Sequence, residues 1–154
     1  MVKRVSLSDA ECPMARSLDG IGDWWSLLIV RDAFDGVRRF GEFQKSLGIS
    51  KGILARRLQG LVALGVLTMT SASDGSAWQD YVLTSKGEAL FPVIVALRQW
   101  GEAFCYRPGE PHSELVDRKK GKSLAPLVVR DADGEIIQMR DTVVKKLALS
   151  SKDY

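Results

Sequence analysis

A chain of 154 residues with 45% hydrophobic and 27% charged side chains has room for one domain and an appended segment, and it can bury a core without covalent staples. Its net charge of +3 excludes a uniformly basic coat, and no run approaches the roughly 20 apolar residues that span a bilayer, so no membrane partner and a cytoplasmic location are expected. Two distant cysteines, Cys12 and Cys105, with one histidine, His112, exclude a disulfide framework and a zinc cluster, so no metal or cofactor is expected.

Residues 1–11 are polar and read as a frayed end, with Ser8 and Asp9 available as turn or capping groups. Cys12-Pro13 then opens a short helix, Pro13 to about Leu18, because proline is preorganised for the first helical position. Gly20 and Gly22 break it, and Asp23 caps a helix from Trp24 to Phe34. That helix is apolar nearly all round at Trp25, Leu27, Leu28, Ile29, Val30 and Phe34, which predicts a place in the middle of the core. After the turn at Asp35-Gly36, residues 38–48 read as a third helix with Phe40, Phe43 and Leu47 on one face.

Gly48 ends this helix and Ser50 starts the next, so a glycine-containing turn of a few residues joins the two. That spacing is the helix-turn-helix signature, with the second helix in the reading position. This helix runs to about Leu64, where Gly65 stops it. Leu54, Leu58, Leu61 and Val62 form its apolar stripe, while Lys51, Gly52, Ala55, Arg56 and Gln59 share the opposite side. Small residues there allow close approach, and cations and an amide can reach phosphates and base edges. The local charge agrees: residues 38–57 carry Arg38, Arg39, Lys45, Lys51, Arg56 and Arg57 against Glu42 alone, a net +5 in 20 residues.

Val66 to Thr70 and Trp78 to Leu83, flanking a Ser/Asp/Gly-rich loop, read as a hairpin, which after a recognition helix is a wing. Thr84 caps a further helix that Pro92 splits or kinks near Phe91. Beyond it, Val93, Leu97, Trp100 and Phe104 make a long apolar face, which either closes the core or joins two copies of the chain. Arg107-Pro108-Gly109-Glu110-Pro111 marks a boundary by composition. The organisation expected is therefore residues 1–107 as a mainly α, winged helix-turn-helix domain for DNA binding and dimerisation. Residues 108–154 follow as a small extension, with a β-hairpin of Leu124 to Arg130 and Glu135 to Arg140 around Asp131-Ala132-Asp133-Gly134.

With these residues laid out, the sequence resembles the HxlR-type family of bacterial winged helix-turn-helix transcription regulators along residues 12–104. Cys12-Pro13 with Arg16 and Leu18-Asp19 looks like that family's opening, and Ile21-Gly22 with Trp25 and Leu27-Leu28-Ile29 looks like its central helix. Arg39-Phe40-Gly41-Glu42 resembles a second signature, with Val37 where proline is expected. Ile49-Ser50, Leu54, Arg57-Leu58, Leu61, Gly65 and Leu67 look like its recognition helix. Tyr81, Leu83-Thr84, Lys86-Gly87, Leu90, Pro92-Val93, Leu97 and Trp100-Gly101 look like its wing exit and terminal helix. Some relatives carry a cysteine-bearing β extension, whereas here residues 123–141 contain no cysteine and can hold no metal through thiolates.

The resemblance implies a homodimer on a pseudo-palindromic, double-stranded operator, responsive to a redox or small-molecule effector. Lys51, Gly52, Ala55, Arg56 and Gln59 are the candidates for the major groove, Ser50 and Arg39 those for phosphates, and Arg38 is a further DNA-binding candidate with no role assigned to it. Arg57 reads equally as an ion pair within the domain, and Lys86 as a phosphate contact or a solvated side chain. Pro13, Val93, Leu97, Trp100 and Phe104 are the candidates for dimerisation. Cys12 is the candidate redox sensor, since family members sense oxidants or electrophiles at this position and a helix N-terminus is a setting that activates thiols; the alternative is a small buried residue. Cys105 reads as a buried hydrophobe. An enzyme is not expected, because His112 sits in a Pro-rich linker with no partners for catalysis. A winged-helix module that binds proteins instead of DNA is the other alternative, and it would call for a neutral or acidic face on the recognition helix.

Overall fold

The computed structural model describes residues 5–148, which fall into two compact units, one up to Ile94 and one from Val95 onward. Six α-helices and one two-stranded antiparallel sheet account for the regular structure of the described residues, with a single 3-10 turn at Met139–Asp141. No helix among them is long and apolar enough to cross a membrane.

Helix α1 spans Pro13–Ile21, with Cys12 in the N-cap position and proline in its first turn. It outruns the expected end at Leu18 because Gly20 stays helical, a choice that costs only about 1 kcal/mol relative to alanine. The stretch before it is less free than its composition suggests. Leu7 N donates to Asp19 Oδ1 at 2.8 Å, and Arg16 Nε donates to Ala10 O at 2.5 Å, while residues 1–4 lie outside the described residues.

Helix α2, Trp24–Phe34, is capped as its sequence predicts, Asp23 Oδ1 accepting from Ser26 N at 2.9 Å. Ile29 and Val30 are fully enclosed. Around them gather Phe43 of α3 (Phe40–Leu47), Leu54, Leu58 and Leu61 of α4 (Lys51–Ala63), and then Val66, Leu67 and Ile94. Each fully buried aliphatic chain in this cluster contributes about 1.5–3 kcal/mol over an exposed one.

The turn between α3 and α4 occupies residues 48–50. Gly48 takes a left-handed φ of +62°, and its N–H returns to Gln44 O at 3.0 Å, which turns the chain sharply enough to begin α4 two residues later. Ser50 Oγ accepts from Ile53 N at 3.4 Å, and Ile49 tucks into the core beside it. At the far end Gly65, at φ +77°, allows Gly65 N to reach Val62 O and Val66 N to reach Leu61 O, a Schellman closure that passes directly into the wing.

Strands β1 (Leu67–Ser71) and β2 (Gln79–Leu83) pair in register from Leu67 opposite Leu83 to Ser71 opposite Gln79. Tyr81 N donates to Arg38 O at 2.8 Å, so the residue before the α3 cap pairs with the outer edge of β2. Thr84 Oγ1 accepts from Gly87 N to cap α5 (Ser85–Glu88), and α6 (Phe91–Phe104) restarts with Pro92 in its first turn, where the missing N–H costs nothing.

The division between the compact units falls inside α6, after Ile94. In the second unit the expected hairpin is much reduced. Asp131 N donates to Glu135 O and Ile137 N to Val129 O, closing a turn with one bridge, Arg130 to Ile136, but no strand extends over 124–130 or 135–140. Gln99 gives the reason: its Nε2 donates to Ala125 O and its Oε1 accepts from Leu127 N, taking the backbone groups a strand would use. Leu127, Val128 and Val129 remain exposed, and a two-stranded ribbon without a covered face is marginal in water.

Candidate nucleic-acid interface

Burying Leu54, Leu58 and Leu61 fixes the rotation of α4 and turns Lys51, Gly52, Arg56 and Gln59 outward, with Ala55 half-buried beside them. None of the side chains of Lys51, Arg56 and Gln59 has a hydrogen-bond or ion-pair partner among the described residues. Their donors are therefore free to meet a ligand. The N-terminal turn of α4 carries Ser50, exposed and engaged with its own helix, and lends the positive end of the helix dipole to the same face.

Tertiary contacts sort the cations of residues 38–57. Arg57 Nε lies 3.2 Å from Asp23 Oδ1, tying the inner edge of α4 to the cap of α2. Arg39, expected on a phosphate, instead donates through Nη2 to Asp74 Oδ2 at 2.5 Å and through Nε to Asp80 Oδ1 at 3.4 Å. Its guanidinium thus belongs to the wing. Arg38 keeps a free, exposed side chain on a fixed backbone, since its N–H donates to Glu42 Oε2 and its carbonyl accepts from Tyr81. Arg38, Lys45, Lys51 and Arg56 remain without acid partners among the described residues. Lys86, read as a phosphate contact or a solvated chain, donates to Leu64 O at 2.6 Å, a cation on the last exposed carbonyls of α4.

The acids behave accordingly. The N–H groups of Arg38 and then Arg39 hold the Glu42 carboxyl below the usual glutamate range. Hydrogen bonding from Arg39, followed by Ser76, holds Asp74 well below the usual aspartate range, and the same pairing raises Arg39. The wing itself has no Lys or Arg between Val66 and Leu83, so any contact it makes to a polyanion comes from its hydroxyls and backbone.

Two expectations about cysteine are corrected. Cys105, expected as a buried hydrophobe, is exposed just beyond the end of α6, and Cys12, for which a buried residue is the alternative, is exposed in the single chain as well. Cys12 occupies the N-cap of α1 without a side-chain cap bond, and Arg16 turns to the Ala10 carbonyl. Pro13, Val93, Leu97, Trp100 and Phe104 are all exposed, and the rings of Trp100 and Phe104, 61% and 73% exposed, meet at 5.6 Å. An aromatic and aliphatic stripe of this kind along one helix has no cover within the described chain.

Comparison with known proteins agrees with this arrangement. The HxlR-like helix-turn-helix family matches residues 20–108. An HTH-type transcriptional regulator of Mycobacterium tuberculosis is 38% identical over 128 residues, covering 83% of this chain and 81% of the relative. Among solved structures, the transcription-factor candidate PA1607 is 54% identical with a TM-score of 0.85, covering 90% of this chain and 97% of that one. The redox regulator HypR in its oxidised form is 30% identical with a TM-score of 0.54, covering 60% and 96%.

Proposed function

The chain belongs to the HxlR-like helix-turn-helix family of transcription regulators, and we propose that it binds a pseudo-palindromic, double-stranded operator as a cytoplasmic homodimer. The observation that carries this reading is the outward face of α4. Lys51 and Arg56 are exposed there with no acid to neutralise them, beside Gly52 and Ala55, which leave room for a groove wall.

In this reading Lys51, Gly52, Ala55, Arg56 and Gln59 meet base edges in the major groove, while Ser50 and Arg38 meet phosphates. Arg39 holds the wing that flanks the groove, and Lys86 holds the end of the reading helix. The stripe of Val93, Leu97, Trp100 and Phe104, with Pro13 on α1, joins two copies and sets the half-site spacing. Cys12 is the point of redox input, supported by its exposure at the α1 N-cap and by the likeness to HypR.

Selection of bound DNA from a random pool, followed by mobility shifts at two salt concentrations, tests the reading. The expected result is an inverted repeat with half-sites about one helical turn apart, or a multiple, and affinity that falls steeply with salt. A chain that retains no DNA at low salt would exclude it.

A further inference from the structure

We infer that the cavity between α1, the C-terminal end of α4 and α5 is the binding site of a small carboxylic acid with an apolar body, and that its occupation weakens operator binding. The inference deepens the proposed function, on which its second half rests, by naming a site and a ligand class for the signal.

The cavity measures about 280 Å³, the size for a ligand of about one ring. Ile21, Leu64, Val66 and Leu90 make its walls, and Gly20 keeps it open, since a Cβ there would come within 2.9 Å of Leu64 Cδ2. Its two charged lining groups, Arg16 and Lys86, are both cations, and no acid among the described residues lines it. Each cation is steadied by one backbone carbonyl only: Arg16 Nε by Ala10 O at 2.5 Å, and Lys86 Nζ by Leu64 O at 2.6 Å. The guanidinium keeps its Nη donors and the ammonium keeps two N–H groups, so an incoming carboxylate displaces no resident anion. A bare inorganic anion would leave the apolar walls to water, whereas an acid with an aromatic or branched body covers them.

The coupling follows from what Lys86 does when the cavity is empty. Its bond to Leu64 O, together with Thr84 Oγ1 donating to Gly65 O at 2.5 Å, clamps the turn between α4 and β1. A carboxylate is a stronger acceptor than a neutral carbonyl and draws the ammonium away. The recognition helix then loses a clamp at its C-terminal end, and by linkage operator and ligand weaken each other's binding equally.

Calorimetry on the full chain with benzoate as probe, and benzamide as its uncharged counterpart, tests the site. Benzoate is expected to bind with Kd at or below about 1 mM, and benzamide about tenfold more weakly or worse. Arg16→Gln and Lys86→Gln should each weaken benzoate about tenfold. If a variant fails to fold, the benzoate and benzamide comparison on the unmodified chain still decides. In mobility shifts, saturating benzoate should weaken operator binding by about fivefold or more, and benzamide should not. No binding of benzoate up to about 20 mM, equal binding of the two probes, or benzoate binding with unchanged operator affinity each overturns the inference. A chain that binds no DNA without ligand sinks the regulator reading alone, because the calorimetry contains no DNA.

Discussion

Arg39 and Asp80, 41 residues apart in sequence, meet at the wing with Arg39 Nε 3.4 Å from Asp80 Oδ1, and the Asp80 side chain is only 5% exposed. The same guanidinium reaches Asp74 in the wing loop. One side chain at the α3 cap thus fixes both a strand and the loop of the hairpin, which makes Arg39 a positioning residue for whatever the wing flanks.

Removing that side chain leaves a buried carboxylate without its cation. Arg39→Ala is expected to lower Tm by roughly 4–8 °C, whereas Arg38→Ala, whose side chain has no partner, leaves it within about a degree. Thermal unfolding of the two variants side by side measures this, and equal losses would show that the ion pair does not hold the wing.

Stability should also fall in acid with a sign set by Glu42 and Asp74. Both carboxyls titrate lower in the folded chain than in the unfolded one, so each contributes stability that is complete above the unfolded value and is lost as pH falls through the folded value. The loss is expected between about pH 5 and about pH 2. Both side chains are exposed, so each share is small, and Asp74→Asn, which removes the more strongly depressed carboxyl, should flatten the acid limb at least as much as Glu42→Gln does. Urea unfolding across that range decides, and an acid limb unchanged in Glu42→Gln would reject the linkage.

On DNA, Arg56→Ala is expected to cost about 1–3 kcal/mol on the selected operator and much less on scrambled sequence, because a base contact carries discrimination. Arg38→Ala should instead weaken both alike and reduce the salt slope by about 1. Competition binding at several salt concentrations separates the two, and equal losses on both DNAs for Arg56→Ala would remove it from the groove.

The α6 stripe predicts that Trp100→Ala weakens self-association about thirtyfold or more, the loss of one central aromatic anchor, and that Leu97→Glu gives monomers. Sedimentation at micromolar concentration reads both. A chain that is already monomeric there, yet binds a full operator one-to-one, would contradict the dimer.

For Cys12, mild peroxide is expected to lower operator affinity in the natural chain and in Cys105→Ser, and to leave Cys12→Ser unchanged. Since both thiols are exposed, the Cys105 variant is the control that assigns the effect. Unaltered affinity in the natural chain, with Cys12 inert toward a thiol probe, would discard the redox input.

The sequence by itself determined the helices and most of their ends, the end of α1 and the start of α3 excepted, because those signals act over a few residues. Asp23 and Ser50 cap the helices they precede, Gly48 and Gly65 supply the left-handed turns on either side of α4, Pro92 opens α6, and the spacing of Leu54, Leu58 and Leu61 sets which face of α4 looks outward. The tertiary structure alone decided which cations are free. Arg39, Arg57 and Lys86 carry the same charge as Arg38, Arg56 and Lys51 and lie in the same polar stretches in or beside helices, and what sets them apart is that Asp74 and Asp80, Asp23, and the Leu64 carbonyl lie within reach. Those partners lie 22 to 41 residues away in sequence for Lys86 and Arg39, a separation over which no local pattern carries information. The exposure of Cys105 and the loss of strand over residues 124–130 have the same origin, since burial and strand pairing depend on a covering surface that only the folded chain supplies or withholds.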